Sequence, residues 1–161
     1  MDYSRSVGGA ALGARLRRLS EAMDGDAARI YADQGVVFEQ RWFGVLNQLS
    51  RRGPSSVGEI ATALRITHAS VSQSRRSLKA AGLVNAERDP ADARRSPLAL
   101  TERGRTLVEH LAPLWRAFEA ASLELDAEAG GAAAALDRLD DALSRRSLRQ
   151  RILDHLPGSV G

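Results

Sequence analysis

The sequence contains no cysteine, which excludes disulfides, thiolate zinc sites and thiol-based redox sensing within this chain. Long apolar runs are missing too. Arginine interrupts the first twenty residues, and no run approaches the length that spans a membrane. We therefore expect a cytoplasmic protein with no membrane partner. With 43% hydrophobic residues over 161 positions, the chain can bury a core in one domain.

Residue combinations typical of enzymes are also missing. The three histidines, His68, His110 and His155, lack the spacing of metal ligands, and no serine lies in a nucleophile-elbow or serine–lysine arrangement. The glycines near the N-terminus fit neither a phosphate loop nor a dinucleotide fingerprint. We predict no catalytic residue, no metal site, no cofactor and no enzymatic activity.

The total charge is small, but it is unevenly distributed. The chain has 23 basic and 20 acidic residues, a formal net charge of +3. The segment 51–105 alone has eleven basic residues against five acidic ones, so the rest of the chain is net acidic. A basic middle third between acidic flanks suggests a surface for a polyanion, carried by flanks with another role.

Hydrophobic periodicity predicts four helices in the first half of the chain. One is expected over 12–31, and a second over 38–52 before a Gly-Pro pair. A capping-box pattern, Ser56-Val57-Gly58-Glu59, begins a short third helix. Thr67 is suited to be the N-cap of a fourth helix over 68–81, which Gly82 closes.

After Gly82 the pattern becomes that of a hairpin. Segments 83–88 and 97–100 are predicted to be short strands around a polar loop. A long helix is predicted from Thr101 to 129, followed by one last helix up to 156. This order is that of a winged helix-turn-helix. The predicted fold class is mainly α with a small β-hairpin wing and further helices at both ends.

The helix over 68–81 would be the recognition helix that enters the major groove. At 100° per residue, Val71, Ser74, Leu78 and Ala81 share one face. The opposite face carries small and polar residues first and cations further on, which suits base edges and phosphates respectively. An ordinary solvated helix face is the alternative interpretation, and the neighbouring hairpin favours DNA binding.

The tip of the predicted hairpin contains Asp92, Arg94 and Arg95. An arginine on a β-loop can enter the narrow, electronegative minor groove beside a recognition helix. Asp92 is spaced to hold such a guanidinium in a bidentate pair. The alternative is a surface turn without a function.

Several motifs between residues 57 and 104 occur together. They are Glu59-Ile60-Ala61 with Leu64, Val71-Ser72-Gln73, Leu78-x-x-x-Gly82-Leu83-Val84, Asp89-Pro90-x-Asp92-x-Arg94 and Leu98-x-Leu100-Thr101-x-x-Gly104. In this combination the chain resembles the MarR-type winged-helix transcription regulators. The outer helices match that family only in order and length. Two positions depart from its pattern, since Ser74 stands where leucine is common and Arg75 where an aliphatic residue is usual.

The resemblance implies that the outer helices of two chains interlock as a dimer, and that the hairpin arginine, Arg94 by motif position, enters the minor groove with Asp92 as its orienting partner. It also implies a cleft between the dimer helices and the DNA-binding lobe that binds small phenolic or anionic ligands. Arg75 is expected to extend towards phosphate instead of packing. The predicted DNA-binding residues are Thr67, His68, Ala69, Ser72, Gln73, Arg75, Arg76, Lys79, Asp92, Arg94 and Arg95.

All seven aromatic residues lie outside the basic segment. Most of them fall on or beside helices that meet near the dimer lobe in the resembled fold, which suggests an aromatic-lined effector pocket. Arg41 or His110 would meet an anionic group of the ligand. The alternative is that the rings simply fill the core. The predicted ligand-binding residues are Tyr31, Arg41, Trp42, Phe43, His110 and Trp115.

The sequence thus predicts a single MarR-like domain over 1–161, with a DNA-binding lobe over 37–104 and dimerisation helices over 9–31 and 105–156. It would be a transcriptional regulator, most simply a repressor, that binds a pseudo-palindromic operator in double-stranded DNA as a homodimer. A small aromatic or anionic ligand would release it. The alternatives are a small-molecule-sensing dimer and a helical protein-interaction dimer, both without operator binding.

Overall fold

The computed structural model describes residues 3–86 and 96–157. The chain begins with a short helix, α1 (Tyr3–Ser6), and a 3-10 turn (Gly8–Ala11). The long helix α2 (Leu12–Asp33) follows, which confirms the helix predicted over 12–31. Its buried residues are Ala27 and Tyr31, and most of its apolar stripe is exposed.

Three helices then follow in close succession: α3 (Trp42–Arg52), α4 (Val57–Leu64) and α5 (His68–Ala80). The second predicted helix was expected to begin at residue 38, and this start was wrong by four residues. The Phe38 ring stacks on Tyr31 with ring centroids 4.2 Å apart, and the next residues form a turn in which the Trp42 N–H donates to Glu39 O at 2.8 Å.

The capping box that begins α4 is formed as predicted. The Glu59 N–H donates to Ser56 Oγ at 3.2 Å, and the Ser56 N–H donates to Glu59 Oε2 at 2.7 Å. These two bonds satisfy donors that the first turn of a helix would otherwise leave unpaired. They fix the point at which α4 begins.

The predicted hairpin consists of β1 (Val84–Ala86) and β2 (Leu98–Leu100), which pair antiparallel with Val84 opposite Leu100. Leu98 also pairs with Ser55, through backbone bonds of 2.8 and 3.0 Å. This bridge ties the start of β2 to the segment between α3 and α4. Residues 87–95, which include the predicted loop tip, lie outside the described residues.

The second half of the chain is helical: α6 (Glu102–Glu128), α7 (Ala132–Arg145) and α8 (Leu148–His155). The prediction of one last helix was wrong, because the chain breaks between α7 and α8. Arg146 is extended there, and Ser147 caps α8 in a second capping box with Gln150. The sequence pattern Ser-x-x-Gln, formed by Ser147 and Gln150, indicates this break.

By its internal contacts the chain divides into two compact units, Met1–His110 and Leu111–Gly161. The first unit contains α1 to α5 and the hairpin. The prediction of one domain over the whole chain stays a prediction. The largest fully buried side chains of the first unit are Val45, Leu46, Ile60, Val71, Leu78 and Leu98.

Candidate DNA-binding surface and adjoining cavity

The centre of the candidate site is the tight turn between α4 and α5. Arg65 ends α4 in the left-handed conformation, with φ of 52°. Thr67 then caps α5, since its Oγ1 accepts from the Ser70 N–H at 3.1 Å. The predicted N-cap is therefore confirmed. Thr67 and His68, at the start of α5, are both exposed to solvent.

One face of α5 is buried and the opposite face is open to solvent. Val71, Ser74 and Leu78 are buried, as the periodicity predicted. Ser72 and Arg75 are half-buried on the flanks. The outward face is small and polar at its start and cationic towards its end, and its contact with DNA stays a prediction. Its exposed residues are His68, Ala69, Gln73, Arg76 and Lys79.

On its inner side α5 is joined to the start of α3 by two hydrogen bonds, one accepted by Ser77 and one donated by Ser74. The Trp42 indole N–H donates to Ser77 Oγ at 2.7 Å, and Ser74 Oγ donates to Arg41 O at 3.3 Å. The sequence analysis did not single out Ser77. Its signal is the spacing of three from Ser74, which places both hydroxyls on the same side of the helix.

The root of the wing is tied to the end of α5. Gly82 is left-handed, with φ of 71°, and its carbonyl accepts from Thr101 Oγ1 at 2.7 Å. Thr101 Oγ1 also accepts from the Gly104 N–H at 3.0 Å, so it caps α6. The end of α5, the hairpin root and the start of α6 therefore meet at one junction.

Three predicted DNA-binding residues lie outside the described residues. They are Asp92, Arg94 and Arg95, which the sequence places at the tip of the hairpin. Their roles in the minor groove stay predictions.

Beside this junction is a cavity of about 700 Å³ in the first unit. Of the predicted ligand-binding residues, Trp42 and His110 line it. Tyr31 instead stacks on Phe38, and Arg41 forms an ion pair with Glu39. Phe43 is not among the lining residues, and Trp115 belongs to the second unit. The cavity is lined by Gly35, Val36, Val37, Trp42, Ala81, Leu83, Glu102, Arg103, Thr106, Leu107 and His110.

Most of this lining was missed by the sequence analysis, although part of it could have been found. Arg103, Thr106, Leu107 and His110 are spaced by three, one and three, which puts them on one side of α6. That spacing connects them to the predicted His110. The Arg103 guanidinium and the His110 imidazole thus lie on a largely apolar wall that includes Trp42 and Leu107.

Two other kinds of site are absent from the described part of the chain. Within residues 3–86 and 96–157, no group of three histidine or acidic side chains is placed to hold a metal ion. None of the helices there combines the length and the apolar character needed to cross a membrane.

A capped helix pair with a tight turn, followed by a two-stranded hairpin, defines a winged helix-turn-helix protein. Residues 38–95 match the family model described as MarR family. No curated protein matches the sequence significantly. These 58 residues include α3, α4, α5 and the start of the hairpin, and all of the sequence motifs except the last, Leu98-x-Leu100-Thr101-x-x-Gly104.

Solved structures agree with this match over most of the chain. One is Bordetella bronchiseptica BpsR, described in a study of how 6-hydroxynicotinic acid regulates its DNA binding. It is 27% identical with a TM-score of 0.66, covering 80% of this chain and 92% of that one.

Two further structures share the fold. Staphylococcus aureus MepR in complex with DNA is 21% identical, with a TM-score of 0.67 and coverage of 82% and 97%. A MarR/EmrR family transcriptional regulator from Acinetobacter is 21% identical, with a TM-score of 0.67 and coverage of 83% and 95%. The resemblance predicted from the motifs is thereby confirmed: residues 38–95 match the MarR family model, and the chain shares the winged helix-turn-helix fold of these structures.

Proposed function

We propose that this chain is a DNA-binding transcriptional regulator and that α5 is its recognition helix. The observation that carries the proposal is the outward face of α5, on which Gln73 precedes Arg76 and Lys79. Polar groups that can read base edges are followed there by cations that can pair with phosphates. The likeness to BpsR, a protein with regulated DNA binding, supports the same role.

The regulator acts as a homodimer. Helix α2 exposes Leu19 and Met23, which are 50% and 54% exposed in the single chain. Helices α7 and α8 expose Leu136, Ile152 and further leucines. Exposed apolar stripes of this length are typical of helices that pack against a partner. A two-fold dimer would place two copies of α5 in successive major grooves on a pseudo-palindromic site.

The cavity binds the effector, a small aromatic acid. Its apolar wall and the Trp42 ring suit an aromatic ring, and the Arg103 guanidinium and His110 imidazole suit a carboxylate. BpsR responds to an acid of this class, 6-hydroxynicotinic acid. Ligand binding would release the dimer from its operator, and the bound dimer would repress transcription by occlusion. This function needs no catalytic residue and places the protein in the cytoplasm.

Selection from a pool of random duplexes, followed by footprinting, tests the proposal. We expect a two-fold symmetric site bound with an affinity that falls steeply with salt, by a log–log slope of about 0.9 for each phosphate neutralised. Arg94→Ala should weaken binding and leave the melting temperature unchanged. If the full chain shows no salt-dependent binding to any duplex, the proposal is wrong.

The cavity favours a second candidate, a small-molecule sensor that acts without an operator. The two candidates are distinguished by titrating 6-hydroxynicotinic acid with and without the selected duplex. A regulator shows weaker DNA binding as the acid is added. A sensor without an operator shows a higher melting temperature with the acid and no selected duplex.

A further inference from the structure

The inner face of α5 docks partly through hydroxyl groups. Ser74 is only 3% exposed. Its Oγ donates to Arg41 O at 3.3 Å, and Ser77 Oγ donates to Ser74 O at 3.1 Å. We call Ser74 and Ser77, with the Arg41 carbonyl and the Trp42 indole, the serine dock.

The hydrogen bonds of the serine dock constrain the orientation of α5 as well as its distance from α3. A hydroxyl offers one donor and two acceptor positions, and the Ser77 hydroxyl both donates to Ser74 O and accepts from the Trp42 indole at 2.7 Å. Such bonds weaken steeply once the atoms separate beyond 3.5 Å or lose alignment.

Trp42 belongs to the serine dock and to the cavity at the same time. It is buried and lines the cavity, and its ring meets Phe38 edge-on at a centroid distance of 5.6 Å. Because the indole is rigid, a shift of the ring at the cavity wall also shifts the N–H that Ser77 accepts. The two ends of one side chain therefore contact the cavity and the recognition helix.

We propose that Ser77 is a positioning residue of DNA recognition, which sets the placement of α5 through its hydrogen bond with Trp42. This inference rests on the proposed function. Ser77 lies next to Arg76 in the helix and does not itself belong to the outward face. Its effect on DNA would pass through the orientation of Gln73 and Arg76.

The first test compares Ser77→Ala with Ser77→Thr in the full chain, using the selected duplex. Ser77→Ala leaves the part-buried indole N–H of Trp42 without its acceptor and should weaken DNA binding about tenfold, whereas Ser77→Thr keeps the hydroxyl and should restore wild-type affinity. Trp42→Phe removes the donor instead, so the double variant should lose no more affinity than either single one. Val108→Ala, buried in α6 and away from the serine dock, controls for lost stability and should keep wild-type affinity when folded.

The second test records the indole N–H signals by nuclear magnetic resonance. The chain has two tryptophans, so Trp115→Phe assigns the signal of Trp42. The duplex should shift this signal in the wild type and leave it unmoved in Ser77→Ala. A folded Ser77→Ala that binds the duplex within twofold of wild type, with the same shift of the Trp42 signal, overturns the inference and leaves the proposed function intact. A wild type that binds no duplex overturns both.

Discussion

Apolar residues are buried in one part of the molecule and exposed in another. The first part is the winged lobe, residues 42–110, and the second consists of the helices α2, α7 and α8. In the lobe Val45, Leu46 and Ile60 are completely buried. Helices α7 and α8 are described throughout, and none of their residues is buried. The lobe thus buries its apolar core within the single chain, whereas α2, α7 and α8 retain apolar surface that a partner can cover.

The charges divide in a corresponding way. The basic excess lies in 51–105, while the remaining residues are net acidic. A lobe whose core needs no partner has the outward face of α5 free to bind a polyanion. The flanking helices need no attraction to DNA if their role is association, so their charge is unconstrained by phosphate.

The largest expected effect tests the completeness of the lobe. A Cβ built at Gly104 would lie 2.1 Å from Leu83 O, closer than any real contact. Because Leu83 O is a backbone atom, it cannot move away from the new Cβ without shifting the chain. Gly104→Ala should lower the free energy of unfolding of the lobe by about 3 kcal/mol or more, as measured by chemical denaturation.

The matched control is Gly25→Ala in α2. A Cβ there meets no atom of residues 3–86 or 96–157 within 4 Å. Since alanine favours helix over glycine, this change should stabilise the protein by about 1 kcal/mol. Equal effects of the two substitutions would remove the distinction between the regions.

The next effect tests whether α2 needs a partner. Leu19→Glu adds a charge to the exposed apolar stripe and should raise the dissociation constant of the dimer about 100-fold, the cost of losing a central interface contact. Sedimentation velocity over a range of concentrations measures it. Ala14→Glu adds the same charge on the opposite side of α2 and should leave association unchanged. Identical behaviour of both variants would assign the stripe to something other than a dimer.

A smaller effect concerns the outward face of the lobe. Gln73→Ala should reduce discrimination at one base pair by about 1–3 kcal/mol, if the amide contacts a base in a bidentate manner. Lys79→Ala should weaken binding to all sequences equally, because a phosphate contact is independent of sequence. Competition between the selected duplex and single-base variants separates the two. A uniform loss for Gln73→Ala would make it a phosphate contact.

Local signals predicted the lobe well for identifiable reasons. The caps at Ser56 and Thr67 and the closing Gly82 each act within a few residues, so the sequence shows them directly. The predicted start of α3 was wrong because Phe38, counted as the first apolar residue of the helix, instead packs on Tyr31 of α2 and lies before the helix begins at Trp42. The break at Ser147 was a local signal that the apolar periodicity concealed.

The cavity and the serine dock could not be predicted in the same way. Trp42 and Ser77 are 35 residues apart, and nothing local pairs an indole with a hydroxyl. The cavity combines the α2–α3 connection, the end of α5 and one side of α6. Single residues such as Trp42 and His110 could be proposed from their chemistry, but their neighbours depend on how those elements pack.

The smallest expected effect uses the same motif in both regions. Ser56 and Ser147 each begin a helix with a capping box, at 3.2 Å from the N–H of the third residue in both cases. Each substitution by alanine should cost its helix about 1 kcal/mol. Because α4 packs in the lobe core through Ile60 and Ala61, Ser56→Ala should lower global stability by that amount. Helix α8 has no buried residue, so Ser147→Ala should raise only its local amide hydrogen exchange. A global loss from Ser147→Ala would show that α8 is as much a part of the cooperative fold as the lobe.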